Sequence, residues 1–215
     1  MPRKVFDRLT SWVGVLLVVV LVVAGGLMTW GHSYVNSNVH NQLAMQQISF
    51  PSAAEINAVK AQYAKGGQKA VTDPEFPAAA TMLPALEPYA GQQLLTGAGA
   101  QVYADDFIAK HLYAMPLHGV YSAVSTASRT AKPGSAAATK FAALETTVFQ
   151  GTTLRGLLLE AYGFSQMGVV MLWGAIASFI GAFILALLVA LGFRHAAQVP
   201  EEQEILTSHR VAATA

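Results

Sequence analysis

Two long uncharged stretches frame the chain, and the first lies close to its beginning. The run TSWVGVLLVVVLVVAGGLMTWG holds no charged residue, and its most apolar part extends from Trp12 to Trp30. Those 18 residue steps correspond to about 27 Å of α-helix, close to the thickness of the hydrocarbon core of a bilayer. A tryptophan at each end matches the aromatic belt at the two membrane interfaces. The pattern predicts a transmembrane helix.

The second uncharged stretch lies between Glu160 and Arg194 and is longer than one span requires. The part from Trp173 to Arg194 corresponds to about 31 Å of helix. We expect Trp12, Trp30, Trp173 and Arg194 to lie at the membrane interfaces. The preceding AYGFSQMGVVML is expected to continue the second helix beyond the bilayer.

Basic residues predict the orientation of both spans. Arg3, Lys4 and Arg8 precede the first span, and Arg194 and His195 close the second. Lysine and arginine near span ends favour the cytoplasmic side, whereas a long intervening segment crosses largely regardless of its charge. A cleaved signal peptide is the alternative for MPRKVFDR and the run after it, but the run is long and no good A-x-A site follows. Both termini are therefore predicted to be cytoplasmic.

The intervening segment has the spacing of helices rather than the alternation of strands. Val35, Val39 and Leu43 share one face, so the first span is expected to continue outward as an amphipathic helix. SAAEINAVKAQYAKGG begins with a capping box and ends at a glycine pair. A connection rich in proline follows, then a helix from about Gly91 to Met115, a shorter one in GVYSAVSTASRTA, and another from Ser135 that Gly151 is expected to interrupt.

These patterns predict an all-α membrane protein, an antiparallel two-helix transmembrane hairpin with an extracytoplasmic helical cap. The predicted divisions are a cytoplasmic N-terminus (1–11), a first transmembrane helix (12–31), the helical cap (32–166), a second transmembrane helix (167–193) and a cytoplasmic tail (194–215). We expect the protein in a bacterial cytoplasmic membrane.

Small residues recur at every fourth position of the second span. In lipid, helices associate where small residues let their backbones approach. The two spans are expected to pack through Gly25, Gly26, Gly174, Ser178, Ala182, Ala186 and Ala190. Self-association through the same stripe is the alternative.

Composition narrows the possible functions. Only 12% of the residues are charged, 53% are hydrophobic and none is cysteine. Cysteine nucleophiles, disulfides and iron–sulfur clusters are thereby excluded. The formal net charge of +1 gives no basic field for nucleic acid. Neither span holds an ionisable residue, which argues against a stand-alone transporter. The expected partners are the bilayer and other membrane subunits, or a second copy of the chain.

The helix VYADDFIAKHLYAM holds the densest group of polar side chains in the chain. Tyr103, Phe107 and His111 share a face, and these three with Tyr121 are the candidates for a ligand site. His111 with Asp105 or His118 matches no metal-binding spacing, so we expect neither a metal nor another cofactor. Asp105, Asp106, His111 and Glu160 are the catalytic candidates if the cap holds an unfamiliar enzyme site. No recognised catalytic motif is present.

The stretches FQGTTLRGLLLEAYGFSQMG and YADDFIAKHL resemble segments of a family of small two-span actinobacterial membrane proteins. The resemblance extends from the first span to Arg194. It implies topology and lineage rather than an activity. The function expected from the sequence is a non-enzymatic accessory or interaction subunit of a larger cytoplasmic-membrane complex. The alternative is an extracytoplasmic sensor or a module that binds a small molecule or lipid.

Overall fold

The computed structural model describes residues 3–198, and all of its regular structure is helical. The α-helices are α1 (Arg3–Gln46), α2 (Ala53–Gly66), α3 (Ala79–Leu86), α4 (Gly97–Val102), α5 (Ala109–Ala114), α6 (Tyr121–Thr130) and α7 (Ala136–Gln198). A π-helical turn at Tyr103–Ile108 joins α4 to α5, and short 3-10 turns occupy Gly67–Ala70 and Glu87–Tyr89. A turn whose backbone is left-handed at Leu117 and His118 occupies Pro116–Gly119. The predicted all-helical class is confirmed. The part of the predicted cytoplasmic tail at 199–215 lies outside the described residues.

Two of these helices, α1 and α7, are long and apolar enough to cross a membrane. The chain divides into two compact units. Within the described residues, the two-helix unit contains 3–33 and 169–198, and the core unit contains 34–168.

In the two-helix unit, α1 and α7 lie side by side and run in opposite directions. The Trp12 and Phe193 rings meet edge to face with their centroids 5.9 Å apart. A Cβ atom on Gly31 would lie 2.9 Å from Sδ of Met171 at the other end of the pair. The glycines therefore allow the two backbones to approach closely.

The face of α1 that packs on α7 repeats at steps of three and four residues. Its buried or half-buried members in this unit include Ser11, Gly14, Val18, Leu21 and Gly25. On α7 the corresponding face holds Ala175, Ser178, Ala182, Leu185, Val189, Gly192 and Ala196. This average spacing of about 3.5 residues is the repeat of left-handed helix pairs.

The core unit is built around apolar residues contributed by all seven α-helices, the π-helical turn and the connecting loops. Its largest fully buried side chains are Phe76, Ile56, Met82, Leu86, Leu94, Val59, Val124 and Val148. The Ser52–Glu55 capping box of α2 is confirmed, since the Ser52 amide donates to the Glu55 carboxylate at 2.6 Å. Hydrogen bonding lowers the pKa of Glu55 below its ordinary value, most strongly through the backbone amide of Ser52.

Two predictions about the core unit are wrong. The connection rich in proline contains α3, which has Pro84 inside it and buries four apolar residues. Gly151 does not interrupt α7, although glycine lowers helix propensity. A Cβ at Gly151 would lie 2.9 Å from Cδ2 of Leu112, so tertiary packing at this point favours a residue without a side chain.

Candidate functional site

Three features of the core unit could contact another molecule. They are a groove between α1 and α7, a smaller pocket beside α5, and an apolar patch around the Pro116–Gly119 turn. The residues expected from the sequence to bind a ligand fall in the second and third of these features, and the groove was not anticipated.

The groove has a volume of about 530 Å³ and is open along the surface of the core unit. Segment 34–46 of α1 forms one wall and segment 154–164 of α7 forms the other. Its lining residues are Tyr34, Val35, Asn38, Val39, Gln42, Leu43, Gln46, Leu154, Leu157, Leu158, Glu160, Ala161 and Phe164. Glu160, a catalytic candidate from the sequence, is the one charged member of this lining.

The smaller pocket, of about 350 Å³, brings together three of the four ligand candidates. The Tyr103 and Phe107 rings lie 4.7 Å apart, and the Phe107 and His111 rings lie 4.5 Å apart, so the three form an aromatic column on one helix face. Burial, with a contribution from the charge of Glu75, raises the pKa of Tyr103 above its ordinary value. Tyr121 lies outside this pocket and contacts Phe149 instead.

Three ionisable side chains of segment 105–118 contact other groups of the protein. His111 Nδ1 lies 2.8 Å from the carbonyl oxygen of Phe107. Because a carbonyl can only accept, this ring nitrogen is the donor of the contact. Asp105 instead accepts from Arg155 at 2.8 Å, and the ring of His118 stacks on Tyr113. No group of three metal-ligating side chains forms among residues 3–198.

The apolar patch surrounds a strained turn. Leu117, His118 and Gly119 are consecutive residues with positive φ, at 57°, 52° and 59°. A leucine in this region is a true outlier, because its side chain crowds the backbone. The exposed apolar residues here are Tyr113, Leu117, Val120, Tyr121 and Phe149, which we call the loop patch. The Tyr121 and Phe149 rings lie 5.9 Å apart and connect α6 to α7.

The residues expected to pack between the spans separate into two groups. Gly25 is buried against the ring of Phe179, Gly174 lies against Met28, Ser178 is half-buried and Ala182 is 4% exposed. Gly26, Ala186 and Ala190 are exposed and lie outside the contact face. A step of four residues turns about 40° past a full rotation, so the stripe has moved about 160° around the helix between Gly174 and Ala190.

The residues expected at the membrane interfaces have exposed side chains. Trp12, Trp30 and Trp173 are 64%, 66% and 67% exposed, and Arg194 is also exposed. Trp12 also contacts Phe193 of the opposite helix, and about two thirds of each tryptophan side chain remains exposed, as an interfacial aromatic belt would require.

Sequence reasoning missed the groove and the strained turn for different reasons. Val35, Val39 and Leu43 were recognised as an apolar face, but no apolar face was assigned to the facing Leu154, Leu157 and Leu158. Matching these two apolar faces could have indicated the groove. No sequence signal marks Leu117, because leucine has no preference for positive φ.

Comparisons with known proteins give no relative for this chain: no protein-family model matches it, and neither curated proteins nor solved structures include a significant match.

Proposed function

We propose that the protein is a non-enzymatic integral membrane protein that serves as an interaction subunit of a larger cytoplasmic-membrane complex. In this proposal α1 and α7 cross the bilayer as an antiparallel hairpin, and residues 32–166 form a helical cap outside it. The loop patch is the surface through which the cap docks on its partner.

The surface of the two-helix unit supports the membrane placement. Large apolar side chains point away from the helix pair, among them Leu27, Val170 and Phe183, which are 64%, 72% and 66% exposed. Apolar surfaces of this extent are rare on soluble monomers and are stable when lipid covers them. The basic residues at 3, 4, 8 and 194 support cytoplasmic termini, because such residues remain on that side.

The strained turn is the observation that carries the docking proposal. Backbone strain of this kind costs about 1–3 kcal/mol per residue and is concentrated at functional sites. Here it holds Leu117 with 45% of its surface exposed, next to Val120 at 50% and close to Tyr121 at 43%. Exposed aromatic and aliphatic side chains grouped in this way are typical of protein-interaction surfaces.

Replacing Leu117 by Asn tests docking without lowering the stability of the fold. Asn tolerates positive φ, so Leu117→Asn relieves strain while it removes the apolar side chain. We expect a melting temperature at least equal to that of the wild type. Capture of the partner is expected to fall about tenfold, as for the loss of about 1.4 kcal/mol of binding free energy. The measurement is a crosslinking pull-down of the tagged full-length protein from its native membrane, quantified by mass spectrometry.

Gln47 provides a matched control, because it also has a positive φ, of 54°, and lies outside the loop patch. Gln47→Asn is expected to leave capture unchanged. Recovery of the bare chain alone, or equal capture by the wild type and Leu117→Asn, would contradict the proposed function.

A further inference from the structure

The groove between α1 and α7 has an apolar floor and an apolar rim. Val39, Leu43 and Leu158 are at most 8% exposed and form its base. Leu157 and Phe164, 58% and 48% exposed, stand at its edge. The volume of about 530 Å³ lies within the range of about 300–1,000 Å³ that is usual for small-ligand sites. An aliphatic chain would remove this surface from water.

Polar groups line the groove in an ordered arrangement. Asn38, Gln42 and Gln46 lie four residues apart and therefore along one side of α1, beside the apolar floor. On the opposite wall, the exposed carboxylate of Glu160 is the only charged group. Within the described residues Glu160 forms no ion pair, and the lining contains neither lysine nor arginine.

The charges and amides that line the groove favour some lipid head groups over others. A carboxylate attracts an ammonium group and repels a head group that carries only negative charge. Side-chain amides can donate to phosphate and ester oxygens and can accept from an ammonium. Membrane lipid is a nearby source of such a molecule. Along α1, Tyr34 in the groove follows Trp30, the end of the apolar run, by about one helical turn.

We propose that this groove binds an aminophospholipid. One acyl chain lies along the apolar floor, the primary ammonium of the head group pairs with Glu160, and the amides of α1 contact the phosphate and ester oxygens. The site requires the membrane placement of α1 and α7 but not the partner subunit or the loop patch. Its failure would therefore leave the docking proposal standing.

The test is native mass spectrometry of full-length protein released from nanodiscs. The nanodiscs contain phosphatidylethanolamine, phosphatidylcholine and phosphatidylglycerol in equal amounts with identical acyl chains. For the wild type we expect retained phosphatidylethanolamine to exceed phosphatidylglycerol by about threefold, the scale of one partly exposed ion pair. Phosphatidylcholine should fall between them, because its cation has no N–H donor. Glu160→Gln should bring the three lipids to similar retention.

A second variant tests the acyl chain. Leu157→Trp adds bulk to the rim of the groove and should reduce retention of all three lipids. Leu187→Trp makes the same change at a residue of the two-helix unit that is 52% exposed, and should leave retention at the wild-type level. Matching circular dichroism spectra and melting temperatures would establish that each variant is folded.

Several results would overturn the lipid site. One is wild-type retention of phosphatidylglycerol equal to or above that of phosphatidylethanolamine. Another is a head-group preference that survives Glu160→Gln, and a third is equal lipid retention by the Leu157 and Leu187 variants. A co-purifying protein segment that Leu157→Trp displaces would assign the groove to a partner helix instead.

Discussion

Gly119 shows how one residue determines the path of the chain between α5 and α6. Its φ is 59°, and a Cβ there would collide with the carbonyl oxygen of Leu112. Both the backbone conformation and the available space therefore require glycine at this position. Gly156, in contrast, lies at a position that does not require glycine, since it is within α7 and a Cβ there would meet nothing within 4 Å.

The two glycines predict opposite effects of alanine on stability. Gly119→Ala should lower the free energy of unfolding by more than about 1 kcal/mol, because alanine is strained at this φ and clashes. Gly156→Ala should raise it by about 0.5–1 kcal/mol, because alanine loses less entropy in a helix. Thermal unfolding of the full-length protein in detergent, followed by circular dichroism, measures both. A stability of Gly119→Ala equal to that of the wild type would contradict the described turn.

At the scale of elements, Glu145 of α7 forms hydrogen bonds with serine side chains of α6. Hydrogen bonds from the Ser125 and Ser128 hydroxyls lower the pKa of Glu145 below its ordinary value of 4.5, and the charge of Arg129 and the Tyr121 hydroxyl lower it further. Arg129 in turn donates to the buried Ser125 at 2.9 Å. The carboxylate is thus stabilised in the form that accepts from α6.

This lowered pKa gives a direction for the pH dependence of stability. A carboxyl group whose pKa is lower in the folded state stabilises that state at pH above about 4.5, and its contribution is lost as pH falls through the lowered value. The wild type should therefore melt at a higher temperature than Glu145→Gln at pH 7, and the difference should shrink below pH 4. Melting curves of both proteins from pH 3 to pH 8 test this, and a difference independent of pH would argue against it.

The elements that the sequence predicts well are those with strong local signals. The capping box placed the start of α2, and the apolar face at Val35, Val39 and Leu43 extended α1 to its observed end. The wrong predictions concern α3 and Gly151, where Pro84 and a glycine suggested irregular backbone. Burial of Met82 and Leu86 and the close approach of Leu112 outweigh those local preferences, because packing contributes more than intrinsic propensity does.

At the scale of the whole molecule, the proposed transmembrane hairpin depends on the packing of α1 on α7. An ideal Cβ built on Gly14 lies 3.8 Å from Cβ of Val189, within the range for a disulfide. The protein has no cysteine of its own, so an introduced pair reports on this contact alone.

A double variant tests the helix pair directly. Gly14→Cys with Val189→Cys should form a disulfide within one chain when membranes are treated with a mild oxidant. The pair Gly14→Cys with Leu188→Cys should react poorly, because Leu188 is 58% exposed and points away from the contact face. Non-reducing gel electrophoresis distinguishes the products. Crosslinks that form only between chains would favour self-association over an antiparallel pair.

The amino-acid sequence by itself determined the helical class, the two apolar stretches and several helix ends, because these depend on runs and spacings of neighbouring residues. Only the tertiary structure decided which small residues face the partner helix. The contact face follows steps of about 3.5 residues, whereas the small residues repeat every four. The groove was likewise decided by packing, because its two walls, with Val39 on one and Leu158 on the other, lie far apart in the chain. The strained turn is local, but leucine has no preference for positive φ and so gave no signal for it.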